Sequence, residues 1–227
     1  MPTPRTLWLR VEHGVSYEDA RAAQLAALER LRVEPDGPGL LLAVEHAPVV
    51  TLGRGGDPAH LRVGVDGLRA AGIAYAETER GGDVTYHGPG QVTLYPVLPL
   101  DWWKRDLHWY LRQLEAVVMH YLAGHGIAGE RVPGRTGVWV AEGKLAAIGI
   151  AVRHWIAYHG LAVNVQPDLD HFGLIVPCGI ADRPVTSLAG LTGRRYDMDE
   201  EMRRLAAAFV AVFPGAVLDE EPPPPSE

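Results

Sequence analysis

Apolar and polar residues alternate over residues 6–11, the period of a strand with one buried face. Behind Ser16, a good N-cap, YEDARAAQLAALERL carries acids at its start and helix formers throughout, which predicts a helix over 17–31. Gly37-Pro38-Gly39 breaks the chain, and LLLAVEH then runs apolar without interruption, as a strand buried on both faces does. Residues 45–54 read as strand, turn at Pro48 and second strand. A helical turn at 58–61, a short helix at 65–71 and a strand at 73–77 follow. Alternation returns over 91–98, where Pro96 favours an edge or a bulge because it has no N–H for a ladder. Asp101 is a suitable N-cap for a long amphipathic helix over 102–122, ended by Gly124 and Gly126. Its Trp102, Trp103 and Trp109 read as helix-packing residues. Residues 138–141 and 145–152 pair through Glu142-Gly143, 159–165 adds a strand, and 199–213 a last helix. Hairpins mixed with a few long helices predict an α+β domain over 1–213, followed by an acidic, Pro-rich, disordered tail over 214–227.

Composition narrows the function classes. Of 227 residues, 47% are hydrophobic and 22% charged, enough for a core in one soluble domain. The net charge of −7 argues against wholesale nucleic-acid binding, which needs a basic surface. One cysteine excludes an intrachain disulfide, no apolar run approaches the ~20 residues of a membrane span, and Arg5, Arg10 and Glu12 interrupt any signal-like start. The expected location is the cytoplasm. No GxGxxG joins a strand to a helix, which removes the dinucleotide reading.

Three places depart from the periodic pattern. RGGDVTYHGPGQ, residues 80–91, is rich in Gly and Pro and presents Thr85, Tyr86 and His87 between its glycines. Such a stretch is a tight hairpin between strands, or a loop shaped around a ligand, since glycine lets main-chain N–H groups approach one closely. Cys178 sits in IVPCGI. A lone cysteine is commonly a small buried apolar residue, but Pro177 and Gly179 place this one on a turn that a substrate can reach. Lys144, one of two lysines, sits at the tip of the predicted hairpin. It is a solvated turn residue or a proton carrier, a role closed to arginine.

Together with EHAPVVTLGR at 45–54, these blocks resemble the lipoyl(octanoyl) transferases, over roughly residues 17–191. The first block is similar to the family's EHxPVxTxGR segment, the second to its glycine-rich signature. GKLAAIG, and PCGI followed by TSL, are similar to its lysine and nucleophile segments. The resemblance implies the catalytic fold of biotin and lipoyl protein ligases: a mixed, largely antiparallel sheet with flanking helices. It implies transfer of an octanoyl group from octanoyl-acyl carrier protein to a lysine of lipoyl domains, the first step of protein lipoylation. The implied acceptors are the lipoyl domains of 2-oxoacid dehydrogenase complexes and the glycine cleavage H protein, with no cofactor and no metal. Cys178 would carry the acyl group as a thioester and Lys144 would activate it. The implied substrate contacts are Arg80, Gly81, Gly82, Asp83, Val84, Thr85, Tyr86 and His87, then Ala147, Ile148 and Gly149, and Gly160, Leu161 and Ala162. Small residues in the last two segments suit a narrow slot for a straight chain. Three alternatives stay open: an ATP-dependent lipoate- or biotin-type ligase, a silent lipoyl-domain-binding protein, and a zinc site from His154, His159 and His171. The last lacks the spacing of a known motif.

Overall fold

Successive side chains of a strand point to opposite faces, and the main sheet of this protein is covered on both. The computed structural model describes residues 5–176 and 183–222. In chain order the elements are β1 (Arg5–Val15), α1 (Tyr17–Val33), β2 (Gly39–His46), β3 (Val49–Leu52), α2 (Gly64–Ala70), β4 (Ala74–Glu77), β5 (Val84–His87), β6 (Gln91–Pro99) and α3 (Leu107–Gly124). Then come β7 (Glu130–Val132), β8 (Arg135–Val140), β9 (Gly143–Arg153), β10 (Ile156–Asn164), α4 (Leu188–Thr192), α5 (Met198–Val212) and β11 (Ala216–Glu220). Eight strands form one sheet in the order β11-β1-β2-β6-β10-β9-β8-β7, and β4-β3-β5 form a second. In the large sheet β1 runs parallel to both its neighbours, and the other pairs are antiparallel. This is the α+β architecture expected.

The apolar run of β2 splits by parity. Leu41 and Ala43 join the core under α3 and α5, while Leu40, Leu42 and Val44 pack with Ala20, Leu28 and Leu31 of α1. β6 divides the same way, with Leu94 and Leu98 on one face and Tyr95 and Val97 on the other. The second sheet has its own core, built from Val50, Leu52, Leu68, Val84, Tyr86 and Phe172.

Several expectations need correction. Pro96 lies in neither an edge strand nor an isolated bulge, since β6 is central. The chain tolerates it there because pairing with β10 lapses between Ala157↔Leu98 and Leu161↔Leu94, so no partner requires its missing donor. In that gap the His159 backbone N–H leaves the ladder for Gln24 Oε1 of α1 at 2.8 Å. Asp101 does not cap the long helix. Residues 100–102 turn to set Trp103 against Phe213, with ring centroids 4.8 Å apart, and the helix starts only after Asp106, whose side chain accepts from Trp109 N. The chain after Phe213 is not all tail, because β11 pairs with β1 from Arg5↔Ala216 to Leu9↔Glu220. The β9–β10 turn is shorter than expected: His154 and Trp155 turn it alone, both with positive φ, as a two-residue hairpin requires. Among the described residues, no helix is long and apolar enough to cross a membrane.

Candidate active site

The small residues of the sequence pattern meet across two strands. Gly149 pairs with Gly160 and Ala147 with Ala162, on the α1 side of the sheet. Bulky side chains cover this face elsewhere; here the four leave a flat floor. Thr93 and Tyr95 of β6 extend it, Tyr17 of α1 closes one end, and Arg80, Gly82, Thr85 and His87 roof it. The slot encloses about 40 Å³. Through Gly82, Ile148 and Gly149 it opens into a cleft of about 520 Å³, within the ordinary range of ligand pockets, lined also by Gly81, Asp83, His60, Arg135 and Lys144.

The glycine-rich stretch is part loop and part strand. Residues 80–83 are the loop, and the next four form β5, antiparallel to β3. Strand parity then separates the expected contacts. Thr85 and His87 face the slot, whereas Val84 and Tyr86 face the core of the small sheet, where Tyr86 packs edge-on against Phe172. Because β3 lies in 45–54, the two resemblance blocks form one unit. Gly53 N donates to Asp83 O (3.2 Å), Arg54 N to Arg80 O (3.0 Å) and Gly55 N to Gly82 O (3.2 Å). The loop also reaches β9, through Gly81 N to Ile150 O at 2.8 Å. A Cβ on Gly149 would stand 2.8 Å from Gly81 O, so only glycine permits that approach. Arg80 turns inward and donates to Thr51 O and Oγ1 at 2.9 and 2.8 Å.

Lys144 is not a solvated turn residue. It is 7% exposed, near the start of β9, and it lines the cleft and a further small cavity of about 10 Å³. Its Nζ lies 5.4 Å from the Trp139 ring centroid, and Arg135 and Arg183 approach the same indole at 5.9 and 5.3 Å. Gly137, with φ of +130°, makes room for it, since a Cβ there would sit 2.9 Å from Lys144 Cε. The Lys144 backbone holds residues 184–186, after the cysteine segment, as a single parallel bridge: Lys144 N donates to Pro184 O (2.9 Å), and Thr186 N donates to Lys144 O (3.0 Å). The segment before it is held at the same cleft, by Val176 N donating to His60 O at 2.8 Å. Cys178 itself lies outside the described residues.

Sequence reasoning passed over the polar residues that line or brace the slot. His46 Nδ1 meets Val15 O at 3.1 Å and its Nε2 meets Tyr95 Oη at 2.8 Å, so Nδ1 carries the proton and Tyr95 donates. Tyr17 donates to Thr78 at 2.6 Å. His87 Nδ1 lies 2.7 Å from Gln91 Oε1, and Gln91 Nε2 donates to Tyr86 O (3.1 Å) and Asn164 Oδ1 (2.8 Å). Asn164 Nδ2 in turn donates to Thr186 O at 3.1 Å. Burial pushes His46 down to about 4, and His87 to about 3 with help from neighbouring His46 and Arg80. Burial also takes His159 to about 4, against the pull of Glu79. Arg21 holds Glu79 at about 2. The three imidazoles are therefore neutral near pH 7. His154, at the hairpin turn, and His171, tilted against the Tyr86 ring, lie in other parts of the fold from His159. The signal for the missed residues was uneven: His46 and Gln91 stand in the two resemblance blocks, whereas Tyr17, Thr78, Tyr95 and Asn164 stand in none, and only pairing brings them together.

The family model of the lipoyl protein ligase A/B catalytic domain matches residues 16–210. An octanoyltransferase of Solibacter usitatus is 48% identical over 221 residues, covering 94% of this chain and 98% of that protein. The chain belongs to the octanoyltransferase family. Another member, from Thermosynechococcus vestitus, is 47% identical over 199 residues, 88% of this chain and 84% of that one. Among solved structures, lipoate-protein ligase A bound with ATP superposes with a TM-score of 0.74 at 19% identity, over 96% of this chain and 89% of that chain. That likeness extends to the fold alone, so octanoyltransferases and lipoate ligases share one scaffold.

Proposed function

We propose that this protein moves an octanoyl group from octanoyl-acyl carrier protein to the side-chain amine of a lysine on lipoyl domains, by way of a thioester on Cys178. The acceptors are the lipoyl domains of 2-oxoacid dehydrogenase complexes and the glycine cleavage H protein. The observation that carries this reading is the setting of Lys144: a buried amine that lines the cleft into which the slot opens, with its backbone bonded to residues 184–186, which follow Cys178.

The chemistry divides into two transfers. A free thiol has a pKa near ~8.5, and cations nearby favour its thiolate; Lys144, Arg135 and Arg183 around Trp139 supply that field. The Cys178 thiolate attacks the carrier thioester, the new C–S bond forms as the old one breaks, and the carrier thiol leaves with a proton from the Lys144 ammonium. The acceptor amine then attacks the acyl-enzyme, neutral Lys144 takes its proton, and the amide forms as Cys178 leaves as thiolate. The acyl chain lies along the Gly149–Gly160 and Ala147–Ala162 floor. Gly81 and Gly82 face the cleft, where their backbone helps to shape the oxyanion site.

Intact mass after incubation with octanoyl-carrier and no acceptor tests this reading. One octanoyl group is expected, removable by hydroxylamine and absent in Cys178→Ala. Octanoylation of a lipoyl domain proceeds without ATP. An adduct that survives Cys178→Ala, or strict dependence on ATP and free octanoate, refutes it; the second result selects the ligase.

A further inference from the structure

The hydrogen bonds that run from the Lys144 strand to the slot have a fixed direction. Thr186 O is a backbone carbonyl and only accepts, so the Asn164 atom 3.1 Å away is its Nδ2. That turns Asn164 Oδ1 toward Gln91, which must present Nε2 to it, at 2.8 Å. Tyr86 O, a second carbonyl, makes the same demand on Gln91 Nε2. Gln91 Oε1 is then the atom facing His87, and an amide oxygen accepts, so the imidazole proton is on Nδ1. The ring's other nitrogen, Nε2, is left as an acceptor on a side chain that lines the slot. Every member of the chain is buried, which keeps water from offering alternative partners: His87 6%, Gln91 2%, Asn164 5% and Thr186 9% exposed. Gln91, Asn164 and Lys144 also border one shared cavity.

We propose that Asn164 and Gln91 are positioning residues that hold the His87 proton on Nδ1, so that a bare Nε2 faces the slot and receives an N–H of the acceptor amine. The identity of that amine rests on the function proposed above; the setting of the proton does not. The same chain ties the tautomer to the docking of 184–186 on Lys144, because Thr186 gives its carbonyl to Asn164 and its N–H to Lys144 O. An inverted His87 would aim an N–H into the slot and set two acceptors, Nδ1 and Gln91 Oε1, against each other.

The test is long-range ¹H–¹⁵N correlation on the full chain with ¹⁵N-labelled histidine, the His87 signals being assigned by their loss in His87→Gln. In the wild type, His87 Nδ1 appears as the protonated nitrogen and Nε2 as the bare one. Asn164→Leu removes one of the two acceptors that orient Gln91 Nε2, leaving Tyr86 O alone to hold it, and the Nε2–H form of His87 gains population. Asn164→Asp keeps an acceptor for Gln91 and retains the wild-type tautomer. Single-turnover assays of Asn164→Leu show amine transfer slowed by roughly tenfold more than acylation of Cys178, the scale of one lost hydrogen bond to a reacting group. A residue that merely braces the fold would lower the Tm and slow both steps alike, with the tautomer unmoved. If Asn164→Leu does not fold, Gln91→Met, which removes the carbonyl facing Nδ1, carries the same expectation. A wild-type proton on Nε2, or an unchanged tautomer in the folded variant, overturns the proposal. If no acyl-enzyme forms on the wild type, the function fails while the tautomer spectra still decide this inference.

Discussion

Gly137→Ala probes Lys144 without touching it. Gly137 has a φ of +130°, and an added Cβ would meet Ala146 O at 2.6 Å and Lys144 Cε at 2.9 Å. The carbonyl belongs to the paired strand β9 and cannot swing aside, so the lysine side chain or the local backbone must move. The strained backbone costs about 1–3 kcal/mol, and overpacking adds a similar amount. At ~2–4 °C per kcal/mol for a chain of this size, the Tm should fall on the order of 10 °C. At 25 °C the variant should remain folded. A shift of about 1 Å in a reacting group is worth ~10²-fold in rate, so octanoyl transfer per folded molecule should drop by about that factor. Iodoacetamide reacts at the single cysteine and reports the thiolate separately; its rate should approach that of Lys144→Ala. The decisive measurements are circular-dichroism melting, the alkylation rate and single-turnover transfer on one preparation. A lowered Tm with alkylation and transfer both within twofold of wild type would refute the placement of Lys144 in the reaction.

Gly149→Ala and Ala162→Val should shorten the acyl chain accepted, because Gly149 is pinned by Gly81 O and Ala162 forms the adjacent floor. A methylene discriminates by ~1–3 kcal/mol, so the preference for eight over six carbons should fall at least tenfold, and an unchanged profile in both variants would place the chain elsewhere. Acid should destabilise the fold before its carboxylates titrate. His46, His87 and His159 sit near 4, 3 and 4 when folded, against ~6.5 when unfolded. Below pH ~6.5 the unfolded chain thus binds more protons, and stability is lost as pH falls from there toward 4, by roughly 3 kcal/mol for His46 alone. Exposed His13, raised by Glu45, acts in the opposite sense and is screened by solvent. Melting between pH 7 and 5 should show the decline; a flat Tm would contradict the buried neutral histidines, and His87→Gln should lessen the slope.

The chain by itself determined the local elements and the family. Ser16 caps α1 where expected, with its side chain accepting from Asp19 N, because capping depends on residues three apart. The hairpin expected through Glu142-Gly143, which turns one residue earlier through 141–142, the apolar run of β2 and the α+β class were legible from local pattern, and the motif blocks carried the family. Distances between blocks were not legible. Pro96 and Asp101 misled because a ladder gap opposite β10 and the packing of Trp103 on Phe213 are set by residues far away in sequence. β11 was invisible as a strand because it pairs with β1, at the other end of the chain.

The candidate site divides along the same line. Composition marked Gly149, Gly160, Ala147 and Ala162 as small, but register alone made them one floor. Four consecutive residues, Val84 to His87, read alike in sequence; pleating sent Thr85 and His87 to the slot and Val84 and Tyr86 to a core. Lys144 looked exposed at a hairpin tip until residues 184–186 covered it. The proton on His87 depends on Thr186 O, 99 residues along the chain, through two amides whose orientation exists only once the strands have paired. A sequence specifies which groups are available, but the direction of a buried hydrogen bond is fixed by carbonyls that folding brings beside them.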